Sequence, residues 1–327
     1  MTRLLRFILL FSGVAVLILI ASRIGMATML DMFRRTGWAF VWVLVLYTLH
    51  VGMRALALLR SLPESDLRFR DICRVRLAGE AIEMLTFTGP FLAEPSKGLL
   101  LKRQGIDTSD AFGAIVVEYL LYTIVAFWMA GVALVALRAR GVFGEPFQGP
   151  VVAVLGVLIV FTAGFVYAAV ARIGLIVPVV SLVSRSLGRP GWIERAAQQL
   201  DPVERFLVSF MHDRPGRLIE VLGLELVGHV LLAAEIWVVM RAIGPAASWT
   251  DAFIMEGAIK LIAAVFFFVP GQLGAAEGVY VLLADALKFG SAAGLTLALI
   301  RRVRALLIAT LGLAALTASP KPSSPGS

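Results

Sequence analysis

Six stretches of this chain, residues 4–22, 38–59, 111–137, 151–171, 218–240 and 292–318, are predominantly apolar and near twenty residues or longer. As helices they are long enough to cross the roughly 30 Å hydrocarbon core of a bilayer. In hydrocarbon every backbone donor and acceptor needs an internal partner, which helices supply within one segment. The sequence therefore predicts an all-α, polytopic integral membrane protein with six full transmembrane helices. Composition agrees: 59% of the 327 residues are hydrophobic, 16% are charged and the mean hydropathy is +0.89. Counting Gly and leaving out Tyr, the apolar share is roughly 67%, against about 45–50% in soluble domains. A soluble enzyme, a disordered chain and a disulfide-stapled secreted domain are excluded. One cysteine, Cys73, and three histidines, His50, His212 and His229, argue against a thiolate cluster or an all-protein zinc site. No metal or cofactor is expected.

Two further apolar stretches are interrupted. Residues 77–101 are broken at Gly89-Pro90 and Glu94-Pro95, and residues 251–287 at Pro270-Gly271-Gln272-Leu273-Gly274. Proline removes a helix donor and glycine loosens the backbone, so each stretch reads as a re-entrant helical hairpin. Broken backbone at membrane depth persists only where protein or a wet cavity surrounds it.

Basic residues set the orientation. With a cytoplasmic N-terminus and both hairpins returning to their own side, 17 Lys and Arg fall on the cytoplasmic side and 7 on the other. The cytoplasmic set includes Arg60, Arg68, Arg70, Arg74 and Arg76, together with the arginines between Arg172 and Arg217. Both termini are expected in the cytoplasm. The net charge of +8 is accordingly topological, and no nucleic-acid partner is expected. Residues 1–37 read as a signal-anchor helix and loop; a cleavable signal peptide is disfavoured by the poor small-residue site at Ala21-Ser22-Arg23. Residues 38–171 form a first membrane unit and 218–318 a second. Residues 172–217 form a connector that either lies on the lipid surface or bridges the units in solvent. The tail 319–327 is rich in Pro and Ser and is expected to be disordered.

The hairpins can be laid on one another. Pro90 precedes Gly98 by eight residues, as Pro270 precedes Gly278; Lys97 then falls opposite Glu277. With a three-residue gap, Glu118 falls opposite Arg301. By the charge bias the two hairpins open to opposite sides, the pattern of an inverted repeat with a polar site near the midplane.

A charge at the bilayer centre costs about 2.5–3.5 kcal/mol on insertion scales. This chain places many there, including His50, Arg54, Glu80, Glu83, Glu94, Lys97, Glu118, Glu225, His229, Glu256, Lys260, Glu277, Arg301, Arg302 and Arg304. They must face inward and pair, or line a hydrated pocket. Glu225 and His229 share a helix face as a buried pair or a proton relay, Glu256 and Lys260 likewise as an ion pair. Arg54 can snorkel, and Asp285 and Glu235 lie near span ends where they reach water. Glu94, Lys97 and Glu277 follow the breaks closely, where helix N-termini favour an anionic group. Arg301 and Arg304 lie on one face, and arginine grips phosphate with a bidentate fork; Glu118, Glu256 and Glu277 could instead neutralise them.

At these residues the chain resembles a known family. Glu94-Pro95-Ser96-Lys97-Gly98-Leu99-Leu100-Leu101-Lys102-Arg103-Gln104-Gly105 looks like the first signature of the flippase-like membrane region shared with lysylphosphatidylglycerol synthases. Phe268-Val269-Pro270-Gly271-Gln272-Leu273-Gly274-Ala275-Ala276-Glu277-Gly278 looks like the second, and Leu299 to Arg304 is most similar to the hopanoid-associated branch. Where the family commonly has Gly-Gly before Glu-Pro, this chain has Leu92-Ala93. The resemblance implies a bacterial inner-membrane protein that moves or presents lipids. It marks Glu94, Lys97, Pro270, Gly271, Gly274, Glu277 and Arg301 as site residues, to which the charge argument adds Glu118 and Arg304. Members that aminoacylate phosphatidylglycerol carry a soluble catalytic domain after the membrane part. Ser327 follows the last span too closely to leave room for one, and no GxxxxGK[ST] loop is present, so a non-enzymatic lipid translocase is expected. The alternatives are an intramembrane lipid-modifying enzyme, for which His212-Asp213 offers a base, and an accessory subunit of a lipid-synthesis enzyme.

Overall fold

The computed structural model describes residues 34–85, 90–142, 144–174, 182, 190–244, 247–265 and 275–317. Within them lie ten long helices, and no strand occurs among the described residues. They are α1 (Ala39–Ser61), α2 (Phe69–Leu85), α3 (Pro90–Arg103), α4 (Thr108–Ala139), α5 (Glu145–Ala171), α6 (Pro190–Asp213), α7 (Pro215–Ala242), α8 (Trp249–Val265), α9 (Ala275–Ala286) and α10 (Ser291–Thr317). Each predicted span from 38 onward has its helix. The 4–22 span, the tail 319–327 and the breaks at Gly89 and Pro270 to Gly274 lie outside the described residues, whereas the break expected at Glu94-Pro95 does not occur, the helix running through Pro95 from Pro90 to Arg103.

Among the described residues, four helices are long and apolar enough to cross a bilayer by length and composition: Ala39–Ser61, Thr108–Ala139, Gln148–Ala168 and Pro215–Ala242. Helix α10 has 27 residues, roughly 40 Å at 1.5 Å per residue, but three arginines interrupt it. It can lie at membrane depth only because other helices receive those charges. The 17 and 14 residues of α2 and α3, and the 17 and 12 of α8 and α9, give lengths of roughly 18–26 Å, short of a full crossing.

The two hairpins open to opposite ends of the molecule. The end of α1 (Leu58, Leu62), the start of α2 (Ile72, Val75), the end of α3 (Leu101) and the start of α4 (Ala111, Ile115) form one apolar cluster. At the other end the start of α1 (Phe40, Val43) meets the end of α7 (Val239, Met240), Ala252 of α8, Ala284 of α9 and Leu297 of α10. Helices α1 and α7 are antiparallel neighbours, tied also by Arg60 Nε to Glu220 Oε1 at 2.8 Å. Exchanging α1 with α7, α2 with α8, α3 with α9 and α4 with α10 maps the helix contacts among these eight onto one another. The repeat is thus inverted and interlocked: α2 packs on α10, and α8 on α4.

Glycine sets how closely those mates approach. A Cβ on Gly257 of α8 would stand 2.5 Å from the Met129 carbonyl oxygen in α4; one on Gly312 of α10 would stand 2.2 Å from that of Leu77 in α2. The 180-residue shift between the hairpins carries Leu77 to Gly257, and the 183-residue shift of the following helices carries Met129 to Gly312. The two contacts are one contact seen twice, with the glycine supplied by opposite partners.

Helices α5 and α6 lie outside the repeat. Along its span α5 exposes Val152, Val157, Ile159, Val160, Val166 and Val170, as a lipid-facing helix does. Helix α6 turns Leu207, Phe210 and Met211 into a cluster with Val117 and Leu121 of α4 and Val221 of α7, so its apolar side is taken up by protein. A Cβ on Gly113 would lie 2.5 Å from the Phe206 ring. Trp38, Trp42 and Trp249 are exposed at the end where α1 begins, the place of an interfacial aromatic belt.

Gly312→Ala is expected to lower stability by about 1–3 kcal/mol, the usual range for overpacking, because the methyl meets backbone rather than a movable side chain. Gly156→Ala, where nothing lies within 4 Å, is the matched control and should leave the thermal midpoint in detergent unchanged.

Candidate functional site

Two ionic clusters occupy the interior. In the first, Glu118 of α4 accepts from Arg54 of α1 through Nε at 3.0 Å and Nη2 at 2.7 Å, and from Arg76 Nη1 of α2 at 3.1 Å. Arg76 also reaches Glu80 Oε1, one turn on, at 3.0 Å. Glu225 Oε2 of α7 stands 3.5 Å from Arg54 Nε, and Lys97 of α3 pairs with Glu94 at 2.6 Å. In the second, Arg301 of α10 donates to Glu256 of α8 at 2.8 Å and lies 3.2 Å from Glu235 of α7. Lys260, one turn along α8, pairs with Glu256 at 2.8 Å. Arg304 pairs with Glu235, Arg302 with Glu277, and Arg301 donates to the Tyr280 hydroxyl.

Five positions of the two clusters correspond, and each carries the opposite charge in the other. The 180-residue shift carries Arg76, Glu80 and Lys97 onto Glu256, Lys260 and Glu277. The 183-residue shift carries Glu118 onto Arg301, and a shift of 181 carries Arg54 onto Glu235. A carboxylate held by two arginines is thereby matched to an arginine held by two carboxylates. Glu118, Glu225, Glu235 and Glu256 have no exposed surface, and Arg54, Arg76 and Lys97 at most 5%. Such charges are tolerable because each faces an opposite one, and removal of a single partner typically costs 3–5 kcal/mol.

Two tyrosines join the clusters. Tyr47 donates to Glu80 Oε2 at 2.9 Å while the Arg304 guanidinium lies 3.7 Å above its ring. Tyr122 lies 3.7 Å beneath Arg54 and accepts from Lys260 Nζ at 3.2 Å. A cation on an aromatic face is held by the ring quadrupole.

A cleft of about 210 Å³ opens beside the second cluster. Lys260, Arg301, Arg302 and Arg304 line it with Glu256 and Glu277, an excess of two positive charges; Met84, Ile259, Tyr280 and Ala298 are among the remaining wall residues. It is smaller than the 300–1,000 Å³ of drug-sized sites.

Of the sequence-predicted site residues, Glu277, Arg301 and Arg304 come together at this cleft. Glu94, Lys97 and Glu118 belong to the first cluster, and Pro270, Gly271 and Gly274 lie outside the described residues. Glu277 occupies the first turn of α9, where the helix dipole favours its charge, whereas Lys97 lies two turns into α3. Glu225 and His229 do not pair: Glu225 turns to Arg54, and His229 stacks edge-on against Tyr122 at 4.6 Å. Neither ring nitrogen of His229 meets a hydrogen-bond partner among the described residues.

Three expectations are corrected. Arg54 does not snorkel, because Glu118 and Glu225 hold it inside. Glu235 does not reach water; Arg301 and Arg304 enclose it. Arg76 is not a loop charge but a fully buried member of the first cluster. It ends a basic run, and the 180-residue shift onto Glu256 was the signal that could have found it. The tyrosines carried no sequence signal of their own.

The fold and the site define a helical membrane protein of interlocked inverted repeats with an ionic interior. A family model described as the lysylphosphatidylglycerol synthase TM region matches residues 4–312, nearly the whole chain, and the chain belongs to that family. The family places it among integral membrane proteins involved in lipid handling. Comparison with curated proteins and with solved structures returns no match.

Glu118→Gln takes from Arg54 and Arg76 the carboxylate they share, and Glu256→Gln takes from Lys260 its carboxylate and leaves Arg301 with Glu235 alone. Each is expected to lower stability in detergent by about 3–5 kcal/mol, measured as a fall in thermal midpoint. Exposed Glu220→Gln, which loses only a surface pair, should cost no more than about 1 kcal/mol.

Proposed function

We propose that this protein is a non-enzymatic lipid translocase that carries an anionic or amphiphilic lipid across a bacterial inner membrane. The observation that carries this reading is the cleft lined by Lys260, Arg301, Arg302 and Arg304 inside an inverted repeat. A phosphate entering there competes with Glu277 for Arg302, exchanging one charge-assisted contact for another, and the displaced Glu277, 20% exposed, turns to water. The acyl or polycyclic tail stays in the bilayer. Inverted repeats support alternation because exchanging the conformations of the two halves exchanges the side that is open. The substrate class spans phospholipids, lipid-linked precursors and hopanoids, the last from the resemblance of the Leu299–Arg304 segment. Lipid-synthesis enzymes are natural partners for such a carrier.

The test is reconstitution of the full chain in liposomes containing a head-group-labelled phosphatidylglycerol. Its access to a membrane-impermeant quencher is followed over time, with lipid analysis at the end. The expected result is protein-dependent movement of unchanged lipid, reduced at least about tenfold by Arg302→Gln, on the scale of one lost charged contact. Gly156→Ala serves as the active control, and monodisperse elution confirms folding. A new lipid species would replace the carrier reading with an enzymatic one; no movement and no new species would leave an accessory role.

A further inference from the structure

Applying the repeat to the open cleft locates its mate. Glu256, Lys260, Glu277 and Arg301 become Arg76, Glu80, Lys97 and Glu118, while Ile259 and Ala298 of the walls become Gly79 and Ile115. The mate is filled. The Lys97 stem lies across Gly79 so closely that a Cβ there would stand 2.7 Å from its Cδ and 2.8 Å from its Cγ. Lys97 is 2% exposed, whereas its counterpart Glu277 leaves 20% of its side chain exposed at the open cleft. Ile115 is 3% exposed and packed among Val75, Leu101 and Ala111, and Ala298 is 5% exposed, so the contrast between the clefts lies in Lys97 on Gly79 and not in these wall residues.

We propose that helices α2, α3 and α4 hold a second polar cleft, closed in this structure by the Lys97 side chain, and that the two clefts open in alternation. The proposal rests on the translocase reading. The same helix contacts occur in both halves, so each half can adopt the other's conformation without new backbone packing. The inverted charges give the clefts different chemistry. The open one centres on Arg301 and suits a phosphate. The closed one centres on Glu118, with Glu80 on the same Arg76 and Glu94 on Lys97, and disfavours one. A phosphate head group taken up at the first is therefore readily released from the second. Lys97, paired with Glu94 one turn away on α3, leaves the groove when α3 moves off Gly79.

The test uses thiol reactivity and no lipid movement, so it fails or succeeds separately from the translocase reading. Ala298→Cys and Ile115→Cys are each placed in the full chain carrying Cys73→Ser, in proteoliposomes with a charged methanethiosulfonate reagent on both sides. Minor conformers are commonly populated at 0.1–10%, so the thiol at 115 should react at least about tenfold more slowly than that at 298. Lys97→Ala should raise the rate at 115 and lower the rate at 298, whereas Lys97→Met, which keeps the stem, should leave 115 slow. Unchanged rates in Lys97→Ala overturn the closing role of Lys97. A rise at 115 with no fall at 298 shows a static void and overturns alternation. Chains that fail to elute as folded protein are replaced by Lys97→Ser, read in the same way.

Discussion

An ion at membrane depth must meet an opposite ion, and the structure is organised by that demand. Glu118 and Arg301 are its centres. Each draws two side chains of opposite charge from two other helices, so each fixes three helices against one another. Without these contacts α2 and α10 would be poor membrane segments, since their arginines would face lipid at a cost of several kcal/mol apiece. With them, short and charged helices form the middle of the protein while the more apolar α5 faces outward.

The inverted repeat explains how so many charges are neutralised without crowding like with like. Antiparallel α1 and α7 bring the halves together, and the sign reversal sets an acid-centred cluster beside a base-centred one. Tyr47 and Tyr122 span the junction, each presenting a ring face to an arginine and a hydroxyl to a charged group of the other cluster. Gly257 and Gly312 permit the same close crossing in both halves, so the backbone frame is symmetric even where the side chains are not.

Much of this was legible in the sequence because its physical basis is local. Spans follow from apolar length, hairpins from proline and glycine, and the repeat from spacings such as Pro90 to Gly98 against Pro270 to Gly278. That the Arg301–Arg304 face needs carboxylates followed from the cost of burying it. The choice of partners was less legible. Glu256 was foreseen and Glu235 was not, because position along a span does not say which neighbour meets it. Arg76 looked like the end of a basic loop, yet it begins the buried part of α2.

From its order of residues alone, the chain settled its all-helical membrane character, its two half-length hairpins and the presence of interior charges. Those follow from hydrocarbon length and backbone hydrogen bonding, which act within a segment. Only the tertiary structure decided that Arg54 and Arg76 share Glu118, that Glu235 and Glu256 share Arg301, and that Lys97 lies on Gly79. Ion partners depend on the rotation and crossing of helices far apart in the chain, and those are set by packing between segments.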